Sequence, residues 1–140
     1  SQGGVVASLY AAAYPDRVHK LLLIFPAFVL FDDAKETYRE LGSPDFDQLP
    51  DSLTHHNTTL GKIYLIDALD IDIQAEQAKI TAPTLIIHGT DDSVVPYQYA
   101  VQASQTIPNA ELVTVEGGEH RIDERFAITA APAIQKFLKE

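Results

Sequence analysis

The stretch from Thr84 to Pro96, TLIIHGTDDSVVP, decides the fold. Thr84 to His88 is a continuous apolar run entered through Pro83. It reads as a strand. Gly89 to Pro96 is an acidic turn. Beyond it, Tyr97, Ala100, Val101 and Ser104 share one face of a helix that Pro108 ends. Glu111 to Val115 (ELVTV) is the next strand, Gly117-Gly118-Glu119-His120 the next loop. Ile134, Phe137 and Leu138 mark a closing helix, with Pro132 placed in its first turn. Upstream, Val5, Leu9, Ala12 and Ala13 form a helical stripe over residues 1–14, stopped at Pro15-Asp16. Val18 to Phe25 (VHKLLLIF) is a nearly continuous apolar run that reads as a strand buried on both faces, as in a parallel sheet, and Pro26 ends it. Strand and helix alternating in this rhythm predict an α/β fold, a parallel sheet with helices on both faces. Its chemistry is expected on loops at the C-terminal strand ends.

Residues 27 to 80 differ in character. Asp32-Asp33, Asp45, Asp47, Asp51 and the pair His55-His56 are mixed with Gly42, Ser43, Pro44 and Pro50, and no clean period precedes Ile63 to Leu69. Short helices are expected there and at Gln74 to Ile80. Phe28, Phe31, Tyr38, Phe46 and Tyr64 are too many large apolar groups for a linker, so the stretch reads as an inserted cap. The expected organisation is 1–26 for the first helix and strand, 27–80 for the cap and connecting helices, and 81–140 for the C-terminal strands and helices.

Ten basic residues against twenty acidic give a net charge of -10 over 140 residues. No basic face is available for phosphates, which argues against nucleic acid and anionic membrane surfaces as partners. No apolar run approaches the roughly 20 residues of a membrane helix. There is no cysteine, hence no disulfide, thiolate metal site or cysteine nucleophile. That fits a reducing compartment, and the cytoplasm is the expected location. His55-His56 lacks supporting carboxylate or thiolate spacing, so no metal site is expected. The chain begins at Ser1 and contains no methionine. It is expected to be the C-terminal part of a longer protein.

Three chemically capable residues fall on the expected loops: Ser1 before the first helix, Asp92 after TLIIH and His120 after ELVTV. Each alone has an ordinary reading, as a linker serine, a turn aspartate and a loop histidine. Together they fit nucleophilic catalysis. A serine hydroxyl needs a base to take its proton, and the base needs a carboxylate to fix its tautomer. A nucleophile on a tight turn also needs small neighbours, a need met by Gly3, while Gly4 allows close helix packing. The Gln2 N–H, at the helix N-terminus, is placed to stabilise an oxyanion. His88 is expected to make a structural hydrogen bond.

Ser1-Gln2-Gly3-Gly4, the stretch Tyr14 to Val18 (YPDRV), the block Leu85 to Pro96 and Glu116 to His120 (EGGEH), in this order, resemble the C-terminal part of an α/β-hydrolase. The resemblance is closest to the bacterial feruloyl/cinnamoyl esterases, related to the serine aminopeptidase-like hydrolases, and covers nearly the whole chain. It implies Ser1 as nucleophile, Asp92 as triad acid, His120 as base and Gln2 as an oxyanion-hole amide. Asp92 is preferred to Asp91 because the family's acid lies three residues after the glycine. The resemblance also implies that residues 27 to 75 are a cap over the acyl pocket, with Asp33 and Tyr64 where contacts to a phenolic ring are expected. His120 departs from the pattern in being followed by Arg121-Ile122, where an aromatic residue is common. The implied activity is hydrolysis of small aromatic carboxylic esters, a small-molecule substrate, with no cofactor. A short-chain acyl esterase, lipase or peptidase of this fold, or a non-catalytic binding module, are the alternatives. The first half of the fold is absent, so the 140 residues alone are expected to be inactive and poorly soluble.

Overall fold

The TLIIHG run is wholly buried because a strand pairs along each of its edges. The structure is a computed structural model that describes residues 1–55 and 57–140. Its elements are α1 (Gln2–Ala13), β1 (Leu21–Ile24), α2 (Leu30–Glu40), β2 (Ser52–His55), β3 (Thr58–Gly61), α3 (Lys62–Asp70), α4 (Ile73–Ala78), β4 (Thr84–Gly89), α5 (Gln98–Thr106), β5 (Ala110–Val115) and α6 (Glu124–Lys139). They divide into two units, one of Ser1–Phe28 with Ile73–Glu140, the other Val29–Asp72.

In the first unit the strand order is β1-β4-β5, all parallel. Leu21 to Ile24 pair with Thr84 to Ile87, and Thr84 to Gly89 with Ala110 to Val115. Helix α1 packs on β1, while α5 and α6 pack on β4 and β5. Leu85, Ile87 and Val115 meet Phe126, Ala130 and Phe137 of α6 in one apolar core. Each such large side chain, fully buried, contributes about 1.5–3 kcal/mol. Lys20 ties the two ends of the unit together, its Nζ donating to the Phe137 carbonyl at 2.6 Å in the last turn of α6.

Several helix faces differ from the expected ones. The buried side of α1 is Val5, Ser8, Ala11 and Ala12, and Ala13 is exposed. At about 100° per residue Ser8, Ala11 and Ala12 fall within one stripe with Val5, and Ala13 is carried past its edge. Ser8 is accommodated because its hydroxyl donates to the Gly4 carbonyl at 2.7 Å. On α5 the buried residues are Ala100 and Ala103, small enough to bring the helix close to the sheet, with Val101 and Ser104 half-buried. Helix α6 starts at Glu124, so Pro132 lies in its middle and not in its first turn. Asp123 caps the helix by accepting the Phe126 N–H at 2.9 Å, a start signal strong enough to set the boundary. Pro132 is exposed, as is Ile128 one turn earlier, so the carbonyl that proline leaves unpaired lies on the solvent side. Leu138 is also exposed.

The second unit contains α2, the antiparallel hairpin β2–β3 and α3. Helix α2 falls where no clean period was expected. Phe31 and Ala34 form its buried stripe, and Asp32, Asp33, Lys35 and Glu36 fill the outer positions. In the hairpin Ser52 pairs with Gly61 and His55 with Thr58. Asn57 takes the left-handed backbone of the turn (φ 63°), which asparagine tolerates. The His55-His56 pair cannot be followed as a pair, since His56 lies outside the described residues. Among the described residues no helix is long and apolar enough to cross a membrane, and no group of three or more His, Cys, Asp or Glu is placed to hold a metal ion.

Candidate active site

Parallel strands in register deliver their C-terminal ends to one rim of the sheet. There β1 runs into Phe25, β4 into the loop of Thr90 to Val95, and β5 into that of Glu116 to His120. The two longer loops are bonded together. The Thr90 N–H donates to the Val115 carbonyl (3.1 Å), Asp91 N–H to the Gly118 carbonyl (2.9 Å) and Gly117 N–H to Thr90 Oγ1 (2.8 Å). A Cβ on Gly89 would lie 2.1 Å from the Gly118 carbonyl oxygen. The loops can approach this closely only because glycine occupies that position.

The approach brings Asp92 and His120 into contact, 28 residues apart in sequence. Asp92 Oδ1 accepts the N–H groups of Val94 (2.9 Å) and Val95 (2.8 Å), a local Asx turn that orients the carboxyl. Asp92 Oδ2 accepts from His120 Nδ1 at 2.8 Å, the carboxyl being fully buried and the imidazole 16 % exposed. A carboxylate only accepts, so Nδ1 of His120 carries a hydrogen, and in the neutral ring Nε2 is the lone-pair nitrogen. Asp91, next in sequence, is exposed.

A second imidazole lies beside the same carboxylate. His88 Nε2 stands 3.2 Å from Asp92 Oδ2 and 2.9 Å from the Val95 carbonyl oxygen. Both neighbours accept only, so this nitrogen carries the hydrogen. Nδ1 of His88 is a buried lone pair with no hydrogen-bond partner among the described residues. Burial holds His88 below the ordinary histidine range, against opposing pulls from Val95 and Asp92, so it stays neutral. The structural hydrogen bond expected of His88 is the one to Val95, and its proximity to the acid adds to it.

Ser1 lies at the N-cap of α1, exposed at the same rim. Its nitrogen donates to the Ile24 carbonyl (3.1 Å), and its carbonyl accepts from Gly4 (3.1 Å) and Ala27 (3.0 Å). Gln2 opens α1, so its N–H is one of those without an intrahelical partner. Gly4 is sterically required, since a Cβ there would come within 2.9 Å of Pro26 Cβ. At Gly3 an added Cβ would meet no atom of the described residues within 4 Å.

Phe25 belongs to the site and was read from sequence only as the end of a strand. Its ring lies 4.3 Å from that of His120, centroid to centroid. Nothing in the sequence flags this contact, which depends on a positive φ after β1.

Asp33 and Tyr64 lie in the second unit. They line one cavity of about 140 Å³, whose walls include Leu30, Ala34, Leu53, Leu60 and Leu65. Burial, and secondarily the Asp33 carboxylate, push the Tyr64 hydroxyl above its ordinary value, so it remains a donor.

The structure of Est1E from Butyrivibrio proteoclasticus is 31 % identical and superposes with a TM-score of 0.83 over 100 % of this chain and 60 % of its own. A structure of Est1E with ferulic acid bound gives 0.81, over 58 % of that chain. AB hydrolase superfamily protein YisY of Bacillus subtilis is 33 % identical over 92 residues, covering 65 % of this chain and 34 % of YisY. The non-heme chloroperoxidase CPO-A1 of Kitasatospora aureofaciens is 42 % identical over 67 residues, 46 % of this chain and 24 % of its own. The matched region thus spans about a quarter to a third of these curated relatives. Residues 70–140 match the family model described as TAP-like protein. With half its length so matched, on a parallel sheet shared with α/β-hydrolases of known structure, the chain belongs to the TAP-like family of α/β-hydrolases.

Proposed function

We propose that the protein is a serine hydrolase that cleaves carboxylic esters of small aromatic acids, of the hydroxycinnamoyl kind, through an acyl-enzyme. The observation that carries this reading is the 2.8 Å bond from His120 Nδ1 to the buried Asp92 carboxylate. It leaves Nε2 as a base at the rim where Ser1 is anchored. In this reading Ser1 Oγ attacks the ester carbonyl carbon and its proton passes to His120 Nε2. The carbonyl oxygen becomes an oxyanion stabilised by the Gln2 N–H at the start of α1. The carbon–oxygen bond to the alcohol breaks, and His120 returns the proton to the departing oxygen. Water then gives a proton to His120 and attacks the acyl carbon; the bond from that carbon to Ser1 Oγ breaks, His120 returns the proton to Oγ, and the acid is released. Asp92 keeps His120 in the productive tautomer and stabilises the imidazolium.

The substrate class rests on the second unit and on Est1E, which binds ferulic acid. An apolar cavity with Tyr64 as donor and Asp33 as acceptor suits a ring bearing a phenolic hydroxyl, which both donates and accepts. The test uses the full-length protein. A fluorophosphonate probe is expected to label it, and Ser1→Ala to abolish labelling. An unlabelled parent protein would instead indicate a binding module. Hydrolysis of methyl ferulate in preference to a short-chain nitrophenyl ester is expected; the reverse order would move the assignment to a short-chain esterase of the same fold.

A further inference from the structure

We infer that Phe25 is a positioning residue for His120, setting the direction in which the imidazole presents Nε2. The inference rests on the hydrolase reading only in giving Nε2 the role of base. The bond to Asp92 fixes the position of Nδ1. A single hydrogen bond still allows the ring to swing about its own N–H···O axis, and that swing carries Nε2 through an arc. A second contact is needed to stop it. The Phe25 ring supplies one, at 4.3 Å between centroids and inclined by 45°.

Phe25 is itself held on three sides. Its N–H donates to the Ile87 carbonyl at 2.8 Å, continuing the β1–β4 ladder one residue past the strand. Its ring meets the edge of Phe126 at 5.4 Å. Phe126 is 1 % exposed and anchored in the first turn of α6 by the Asp123 cap. The third constraint is conformational. Phe25 has φ 32°, in the left-handed region that a bulky side chain avoids. Glycine would adopt that backbone without strain. A phenylalanine there is maintained only by surroundings that over-determine it, a state that clusters at working sites. What the strained position gains is the ring, and the ring faces His120.

The test compares Phe25→Leu with Phe25→Tyr in the full-length protein. Phe25→Leu removes the flat face, and Phe25→Tyr keeps it. For methyl ferulate, Phe25→Leu is expected to lower kcat on the order of 10- to 10²-fold, the scale of a small misplacement of a catalytic group. KM should change little, since the loss is in orientation and not in binding. Phe25→Tyr should restore most of kcat. Wild-type kcat in Phe25→Leu, or a loss carried wholly by KM, overturns the inference. Nuclear magnetic resonance of the His120 ring protons gives a readout that needs no turnover. Ring-current shifts from Phe25 should be present in wild type and Phe25→Tyr and lost in Phe25→Leu, with the Nδ1–H signal retained in all three. Unaltered ring-proton shifts in Phe25→Leu also overturn it. A wild-type protein that hydrolyses no ester would defeat the hydrolase reading, while these shifts still decide whether the Phe25 ring lies against His120. Should Phe25→Leu melt below the assay temperature, Phe25→Met, unbranched and of similar size, takes its place.

Discussion

Substitution of Gly89 by alanine should separate the two loops that carry Asp92 and His120. The added Cβ would stand 2.1 Å from the Gly118 oxygen, 2.4 Å from its carbonyl carbon and 2.7 Å from its Cα. All three are backbone atoms, so no side-chain rotation relieves the clash. Real Cβ contacts essentially never fall under 3.0 Å, so Gly118 must retreat by about 0.9 Å from its present 2.1 Å. The movement is passed to the Asp91 N–H bond on that same oxygen, now 2.9 Å, and to His120 two residues on. Adding about 0.9 Å to the 2.8 Å contact between His120 and Asp92 takes it beyond hydrogen-bond range. The cost in stability should be that of overpacking, about 1–3 kcal/mol, and the cost in kcat/KM about 10²-fold. Thermal melts and ester hydrolysis by the full-length protein measure both. A Gly89→Ala protein with wild-type activity and melting temperature would show that the loops are not held by this close approach, and the account of how the site is assembled would be wrong.

Two further predictions concern pH. His88 has a folded-state value below the ordinary 6.5, chiefly through burial, so the unfolded chain takes up its proton first. Its contribution is therefore complete above pH ~6.5 and is lost as pH falls through the folded value. Urea melts of His88→Gln, which keeps a donor and removes the titration, should be less steeply dependent on pH between 7.5 and 5 than wild type; parallel curves would refute the assignment of the slope to His88. Asp123 is held below its ordinary 3.8, first by the Phe126 N–H and then by Arg121. Its cap should stabilise α6 above that value and fail as pH falls through the folded one. Asp123→Ala should thus lower the melting temperature at pH 7, with Asp123→Ser recovering most of the loss, and an unchanged melt for the alanine variant would remove Asp123 from the account.

The sequence alone determined the fold class and the order of its parts. Short strand runs alternating with helical stripes declare a parallel sheet, and the residues after such strands as TLIIH and ELVTV must lie at one rim. Local chemistry was similarly legible at Gly89, Asp92 and His120, which stand at loop positions a short motif can mark. Register and approach belong to the tertiary structure. The pairing of Thr84–Gly89 with Ala110–Val115 carries Asp92 to His120 across 28 residues, and no local spacing encodes that distance. The same holds for Phe25, whose ring reaches His120 through one positive φ, and for His88, whose neutrality follows from burial. Helix α6 shows the boundary between the two sources. Proline's local rule placed the helix start at Pro132, but Asp123 capping and the burial of Phe126 moved it to Glu124, because packing energy summed over several turns exceeds the loss of one hydrogen bond.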